Sequence, residues 1–245
     1  MFTTTNALVL REVRYKEADR ILTLLTSTDG KITVKARGAL RKGSKTAAAT
    51  QQLTYSEMTL FGNRGKWTVN EAVIKEAFTG LRTDMENLAL GCYFAECLET
   101  LSVEDQPEPA ILQLGLNSLY ALSNQMYPPE QIKAAFELRL MCLAGYAPDL
   151  SSCAACGNPE PEEPLLSLGD GRICCRRCRN GGNTVQLSGE TFAAMRYIVS
   201  APAKRLFSFK LSDDGLNRLS CAAEQYLLTQ TERRFGTLDY WKNVK

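Results

Sequence analysis

The sequence predicts an α+β protein that has a five-stranded barrel at its N-terminus, followed by an α-helical domain with an inserted four-cysteine zinc ribbon. Three observations lead to this prediction. Five short segments rich in β-branched and aromatic residues lie between residues 7 and 74, amphipathic helical patterns follow, and two Cys-x2-Cys pairs interrupt them. The expected boundaries are residues 1–80 for the barrel and 81–245 for the helical domain, with the zinc-binding module at about 150–181.

The barrel is predicted from strands at residues 7–13, 20–26, 31–37, 53–61 and 66–74. Turn signals separate them, including Thr28-Asp29-Gly30 and the run at 62–65, where glycine permits a positive φ. Five strands in so short a stretch fit a compact Greek-key barrel of the OB-fold type, which commonly binds oligonucleotides.

The third strand and the segment after it carry the clearest binding signal. Alternation places Ile32, Val34 and Ala36 on one face and the polar side chains on the other. No acidic residue occurs between Lys31 and Ser56. A solvated charged face is one interpretation, but the position on a barrel beside a Gly- and Ser-bearing loop, expected to be flexible, favours a groove that tracks phosphates. The predicted DNA-binding residues are Lys31, Lys35, Arg37, Arg41, Lys42 and Lys45.

The same segment resembles a phosphate-binding loop without meeting its requirements. In the run at 38–45, Ser44 precedes Lys45, whereas a P-loop needs lysine directly after the second glycine and a hydroxyl after the lysine. A nucleotide-hydrolysing site is therefore disfavoured.

Charge and composition limit the possible functions further. Net charge is +6 over residues 1–80, −7 over 81–150 and +3 over 151–245, which suggests modules with different partners. The chain of 245 residues contains no histidine, so Ser-His-Asp and Cys-His catalytic pairs are excluded. Nine cysteines, an odd number, and no apparent leader favour a reducing cytoplasm over a secreted disulfide framework. No apolar run reaches the roughly 18 residues that a membrane span needs.

The helical domain is predicted from apolar periodicity and capping residues. Helices are expected from about 83–84, over about 109–124, from 128–129 to a C-cap at Gly145, over 189–201 after Ser188, and over 212–231. The last two are expected to complete the helical domain across the ribbon. The closing stretch at 233–241 gives no firm prediction.

Cysteine spacing predicts one structural zinc ion. The pairs form Cys-x2-Cys-x18-Cys-x2-Cys, within the range of four-thiolate zinc ribbons, and four protein ligands leave no open position for catalysis. The loop-rich insert, which contains several Pro and Gly residues, is expected to depend on the metal for order. The predicted ligands are Cys153, Cys156, Cys175 and Cys178.

Alternatives remain open around this cluster. A redox Cys-x-x-C pair is disfavoured by the paired spacing, and Cys174 is a second candidate in place of Cys175. The neighbouring arginines either contact nucleic acid or pair with glutamates of the insert; they are Arg172, Arg176, Arg177 and Arg179. The four remaining cysteines, Cys92, Cys97, Cys142 and Cys221, are expected to be core thiols.

The order of these parts resembles the bacterial recombination mediator RecO family over the whole chain. The resemblance rests on the run at 36–39, the helix-to-knuckle stretch at 136–157 and the two cysteine pairs. It implies a non-enzymatic protein that binds single- and double-stranded DNA and anneals complementary strands. It also implies that the protein joins RecR, contacts the acidic tail of single-stranded-DNA-binding protein and helps load RecA. The expected location is the cytoplasm, in association with the nucleoid. The doubled Cys174-Cys175 departs from the family pattern, and the acidic middle offers no obvious basic pocket for an acidic tail.

Two other function classes were weighed against this one. A zinc-ribbon enzyme of nucleic-acid metabolism would need clustered carboxylates, and the barrel segment has no convincing Asp-x-Asp pair. A protein-binding scaffold would use the basic segment for solubility alone. DNA binding at physiological salt separates the scaffold from the mediator, and turnover of labelled DNA separates the enzyme.

Overall fold

The computed structural model describes residues 1–63, 65–179 and 181–245. Arg64, in the turn predicted at 62–65, and Asn180, in the predicted zinc module, lie outside the described residues. The chain forms two compact units, one of Met1–Asn124 with Phe235–Lys245 and one of Gln125–Arg234. The domain boundary expected near residue 80 stays a prediction. Within the described ranges, none of the helices combines the length and the apolar character that a membrane crossing requires.

Five strands close into a barrel at the N-terminus, as predicted. Their order around the barrel is β1-β2-β3-β5-β4, and every neighbouring pair is antiparallel except β3 with β5. This is a five-stranded closed barrel of the OB-fold type. The strands are β1 (Phe2–Tyr15), β2 (Asp19–Thr26), β3 (Gly30–Ala36), β4 (Tyr55–Asn63) and β5 (Lys66–Glu76).

Alternating side chains fill the barrel interior. In β3, Ile32, Val34 and Ala36 are buried within the barrel core, whereas Thr33 is exposed and Lys35 is half-buried. The alternation predicted for this strand is therefore confirmed. Because successive side chains of a strand point to opposite faces, the lysines of β3 lie on the outside of the barrel.

The segment that joins β3 to β4 is held against the barrel and is not the flexible loop that the sequence predicted. Ala39, Ala49 and Leu53 within it are buried. The partners that hold it belong to β2 and the preceding turn, so its own Gly and Ser content could not reveal them. The contacts are Gly38 N–H to Asp19 Oδ1 (2.8 Å), Leu40 N–H to the Ala18 carbonyl (2.9 Å), and Arg20 Nη1 to the Ala47 carbonyl (2.8 Å) and Thr50 Oγ1 (3.0 Å).

In the described part of the chain, six α-helices follow the barrel. The helix starts that were predicted from capping residues are confirmed, because Asp84, Ser188 and Ser212 each accept a hydrogen bond from a backbone N–H of the first turn. The helices are α1 (Met85–Leu101), α2 (Pro109–Ser123), α3 (Pro129–Leu143), α4 (Gly189–Ser200), α5 (Asp213–Thr231) and α6 (Gly236–Val244).

The closing helix α6 packs on α1, a contact for which the sequence offered no prediction. The Phe235 ring meets the Tyr93 ring edge-on, with centroids 5.8 Å apart. Glu96 Oε2 accepts a hydrogen bond from Thr237 N–H at 3.2 Å, at the start of the helix. A carboxylate at that position satisfies a helix N–H group and interacts favourably with the helix dipole.

The second unit consists of α3, α4, α5 and a small sheet. In this unit α3 contacts both α4 and α5, whereas α1 and α2, which the sequence assigned to the same helical domain, belong to the first unit. The sheet has the order β7-β6-β8, from β6 (Leu165–Ser167), β7 (Ile173–Cys174) and β8 (Thr184–Gln186). Leu165, Leu166 and Ile173 are buried, so the insert has a small apolar core in addition to its cysteines.

Replacing Gly30 by alanine is expected to lower the free energy of unfolding by about 3 kcal/mol. Gly30 has a φ of +65°, and a Cβ there would lie 1.9 Å from the backbone oxygen of Gln106. Both the left-handed backbone and the steric overlap therefore oppose a side chain. Urea unfolding measures the loss.

Gly43→Ala is the matched control, because Gly43 has a φ of +79° and nothing within 4 Å of the added Cβ. Only the backbone penalty applies there, so a loss of about 1 kcal/mol is expected. Equal losses in the two variants would show that the contact with Gln106 has no part in the effect.

Candidate functional site

The six predicted DNA-binding cations fall into two groups. Lys31 and Lys35 lie on β3 and make contacts with other parts of the first unit. The other four lie in the segment that follows this strand, and all four are exposed: Arg37, Arg41, Lys42 and Lys45. Among the described residues, none of these four forms an ion pair. They are therefore available to an external anion.

Lys35 is held by two neighbours on the outside of the barrel. Its Nζ lies 2.8 Å from Asp19 Oδ2 and 4.9 Å from the centroid of the Tyr15 ring. The Lys35 ammonium and the Gly38 amide, both hydrogen-bonded to Asp19, hold the pKa of that carboxyl below its usual value. The sequence run from Lys31 to Ser56 has no acid, but β2 supplies one across the sheet. Lys35 therefore forms a neutral pair with Asp19, whereas the sequence predicted an unpaired cation at this position.

Lys31 lies at the other end of β3, beside α1. Its Nζ donates to the Glu99 carbonyl at 2.9 Å, near the C-terminal end of that helix. A cation is stabilised there by the last carbonyls of the helix. The structure thus does not place the Lys31 ammonium with the exposed cations of residues 37–45.

Residues beside the basic segment were missed at the level of sequence. Arg20 and Asp19 anchor the segment, and nothing in their own neighbourhood of the chain indicates that role. Tyr15 is exposed at the end of β1, with Lys16 Nζ 5.6 Å from its ring centroid. The run Arg14-Tyr15-Lys16 places an aromatic residue between two cations, which is a signal that could have identified it.

The four cysteines predicted as metal ligands come together in the second unit. Their sulfur atoms all lie within 4.8 Å of one another, and the Sγ atoms of Cys156 and Cys175 are 3.7 Å apart. A tetrahedron of sulfurs at about 2.3 Å from a zinc ion has edges of about 3.8 Å, so the arrangement fits such an ion. Gly157, with a φ of +73°, makes the turn expected after the first pair. The four-cysteine group could therefore hold a metal ion.

Electrostatics at the cluster also favour a cation. Burial opposes ionisation of Cys153, but backbone N–H groups, including that of Cys175 at 3.3 Å, outweigh it and lower its pKa to about 6. Burial, together with hydrogen bonding and charge from Cys153 and Cys156, raises the pKa of Cys175 to about 12. The sulfurs therefore resist ionising together unless a cation neutralises them, which is the behaviour of a thiolate metal site.

Cys174 lies outside the four-cysteine group. It belongs to β7, where it pairs with Leu165, and burial raises its pKa. The geometry thus favours Cys175 over Cys174 as the fourth ligand position.

The four expected core thiols divide into three that fit the expectation and one that does not. Cys97 is buried, and Cys92 and Cys142 are half-buried with pKa values raised by burial. Cys221 is exposed on α5, so its assignment to the core was wrong. It occupies the solvent side of an amphipathic helix, and residue type alone does not reveal that side.

The arginines beside the second cysteine pair make contacts with the acidic insert. Arg176 Nη1 lies 2.9 Å from Glu163 Oε2, and Arg177 Nη2 lies 2.8 Å from Glu162 Oε2. Of the two interpretations considered for the four arginines, the structure shows the ion pairs for Arg176 and Arg177. Both pairs are exposed, so each contributes at most about 1 kcal/mol to stability.

Comparison with known proteins agrees with this arrangement over nearly the whole chain. A family model described as recombination protein O N terminal matches residues 1–78, and one described as recombination protein O C terminal matches residues 82–239. The first covers the barrel, and the second covers α1 to α5, the start of α6 and the cysteine cluster.

Several curated relatives share one name, DNA repair protein RecO. The relative from Acetivibrio thermocellus is 36% identical over 241 residues, which is 98% of this chain and 96% of the relative. The relative from Symbiobacterium thermophilum is 30% identical over 248 residues, with 98% and 96% covered. The relative from Alkaliphilus metalliredigens is 29% identical over 246 residues, with both chains covered completely.

Proposed function

Since the chain belongs to the recombination protein O family of DNA repair proteins, we propose that it is a DNA-binding recombination mediator. In this role it binds single- and double-stranded DNA, anneals complementary strands and, with RecR, helps load RecA. The strands are coated by single-stranded-DNA-binding protein, whose acidic tail is a further partner. The resemblance to the family supports these partners, and the reducing cytoplasm at the nucleoid is the proposed location.

The observation that carries the proposal is the basic segment on the barrel. Arg37, Arg41, Lys42 and Lys45 are exposed, and the segment is held in place by hydrogen bonds to β2. An ordered row of cations binds phosphates without first paying the entropy of ordering a loop. Lys35 joins them when a phosphate replaces Asp19 as its partner. Lys31 donates instead to the Glu99 carbonyl of α1 and is not counted among the phosphate contacts.

The action proposed for these residues involves no bond chemistry. Phosphate contacts carry no base information, so two strands of any sequence can be held and then paired with each other. Annealing follows because phosphate contacts of this kind can be made at any position along a strand. Incubation with labelled DNA, magnesium and ATP is expected to give no turnover, and reproducible turnover would instead support an enzyme.

We also propose that Cys153, Cys156, Cys175 and Cys178 hold one structural zinc ion. Four thiolate positions leave no coordination site for a substrate, so the ion would supply folding energy and no catalysis. Elemental analysis of the purified protein is expected to find about one zinc per chain.

Neutralising the four exposed cations is expected to weaken binding of single-stranded DNA by about 10²–10³-fold at 0.1 M salt. The variant changes Arg37, Arg41, Lys42 and Lys45 to Gln. Each phosphate contact on a single strand contributes about −0.7 to the slope of log K against log salt. All six predicted cations together would give a slope of about −4. Because α1 engages Lys31, five contacts remain in the natural chain and predict a slope of about −3.5. The variant keeps only Lys35, which predicts about −0.7. Fluorescence anisotropy over a salt series measures both quantities.

The matched control removes four exposed cations from the second unit: Lys204, Arg205, Lys210 and Arg233, each changed to Gln. It alters net charge by the same amount but leaves the barrel intact, so we expect the slope and the affinity to change little. Equal losses in the two variants would mean that net charge alone attracts the DNA. A salt-independent affinity of the natural chain would exclude the phosphate-binding mechanism.

A further inference from the structure

The exposed Tyr15 ring has no role in the phosphate contacts described above, although it adjoins them. Tyr15 ends β1 and is 43% exposed. Lys35 Nζ lies 4.9 Å and Lys16 Nζ 5.6 Å from its ring centroid. An aromatic ring that remains accessible between two cations combines the two features by which proteins bind single-stranded nucleic acid: a surface for stacking and positive charge for the backbone.

The ring is connected to the basic segment through a chain of short contacts. Tyr15 pairs with Asp19 across the turn between β1 and β2, and Asp19 binds both Lys35 at 2.8 Å and the Gly38 amide at 2.8 Å. Arg37 and Gly38 begin the exposed cationic stretch. The ring therefore lies beside Lys35, close to the point where the exposed cationic segment begins.

Apolar neighbours extend the surface around the ring. Val13, 47% exposed, lies opposite Ile21, and Ile21 lies opposite Lys35 on the next strand. Single exposed apolar side chains are common on protein surfaces, so the informative feature is that Val13 and the Tyr15 ring lie beside cations. A nucleotide has both components, because its planar base is attached to a charged phosphate.

We propose that Tyr15 is a base-stacking residue that holds an unpaired nucleobase at the end of the phosphate-binding segment. Its ring packs against the base, while Lys16 and Lys35 lie beside the adjoining phosphates. This inference rests on the proposed DNA-binding function. Stacking is tolerant of base identity, since every base has a π-face. The residue thus distinguishes unpaired from paired strands and does not distinguish sequences.

Such a residue favours release of the annealed product. A base within a duplex is stacked on its neighbours and is not available to the Tyr15 ring. A single strand therefore gains the stacking contact and a duplex does not. Through this residue the protein binds single-stranded DNA more tightly than the annealed duplex.

Tyr15→Ala is expected to lower affinity for a single-stranded oligothymidylate about tenfold, as loss of one stacked base does, and to leave the salt slope unchanged. Affinity for a duplex of the same length is expected to stay the same. Tyr15→Phe retains the ring and is expected to bind single strands like the natural chain. Tyr120→Ala removes a tyrosine that is 50% exposed on α2 and serves as the matched control, with no change expected.

An oligonucleotide with the same phosphates but no bases isolates the stacking contact. The natural chain and Tyr15→Ala are expected to bind this abasic strand equally. Equal affinity of the two proteins for oligothymidylate, or an equal loss on duplex and single strand, would overturn the proposal. So would a tenfold loss in Phe2→Ala, at the exposed Phe2–Phe61 ring pair, with none in Tyr15→Ala. A failure of the phosphate mechanism is recognised separately, because it abolishes the salt slope of the natural chain.

Discussion

Removal of the zinc ion proposed for the four-cysteine cluster is expected to lower the melting midpoint of the second unit by about 20 °C. The four sulfurs lie within 4.8 Å of one another, and without a cation they resist joint ionisation. Free zinc at 1,000 times its Kd stabilises a fold by about 4 kcal/mol. A chelator that removes the zinc removes this stabilisation. The sheet keeps its buried leucines, so the loss of order is expected to be greatest at the cysteine pairs.

Hydrogen exchange locates this effect in the chain. After chelation we expect faster exchange of the amides around Cys153–Cys156 and Cys175–Cys178, with the barrel amides unchanged. The adjacent thiols provide a matched pair of variants. Cys175→Ser is expected to abolish stoichiometric zinc, whereas Cys174→Ser, outside the four-cysteine group, is expected to retain it. Zinc retained by the first variant and lost by the second would reverse the ligand assignment, and an unchanged midpoint after chelation would exclude a structural role.

Replacing Lys133 by methionine is expected to lower the free energy of unfolding by about 3–5 kcal/mol, the cost of breaking a buried ion pair. The Lys133 side chain is fully buried on α3, with Nζ 2.9 Å from a carboxylate oxygen of Glu137 and 2.9 Å from one of Glu224. Glu137 is equally buried, so methionine leaves at least one carboxylate in an apolar interior without this ammonium. Chemical denaturation followed by circular dichroism measures the loss.

Two variants distinguish charge burial from mere substitution. Arg218→Met removes an exposed pair with Asp214 at the same i,i+4 spacing, and at most about 0.5 kcal/mol is expected. Combining Lys133→Met with Glu137→Leu and Glu224→Leu removes the charges together and is expected to recover most of the stability. A triple variant as unstable as Lys133→Met would assign the loss to packing.

The effect of Lys133 also has a defined pH range. Burial alone would lower the pKa of Lys133, but Glu137 and Glu224 outweigh it and raise that pKa above the value in the unfolded chain. The stabilisation is therefore complete below the unfolded lysine pKa of about 10.4 and is lost as pH rises through the higher folded value. The deficit of Lys133→Met is expected to be equal at pH 7 and pH 9 and to shrink only above that range.

The elements that the sequence predicted depend on local physics. Strand alternation placed Ile32 and Val34 inside the barrel, and the capping side chains of Ser188 and Ser212 marked the starts of α4 and α5. The spacing of the two cysteine pairs likewise indicated a common ligand set, because each pair is a short turn with little freedom. These features can be predicted from the sequence because the residues that produce each of them lie a few positions apart.

The tertiary structure alone decided which charges are neutralised. Asp19 reaches Lys35 from the neighbouring strand, and the Glu99 carbonyl lies 68 residues from Lys31 along the chain. The fold likewise brought Phe235 onto Tyr93 and left Cys221 in solvent. Periodicity and spacing determined the elements and the four-cysteine group, because backbone geometry repeats over a few residues. The accessible cations and the place of Tyr15 among them depend on which strands become neighbours, and no local pattern contains that information.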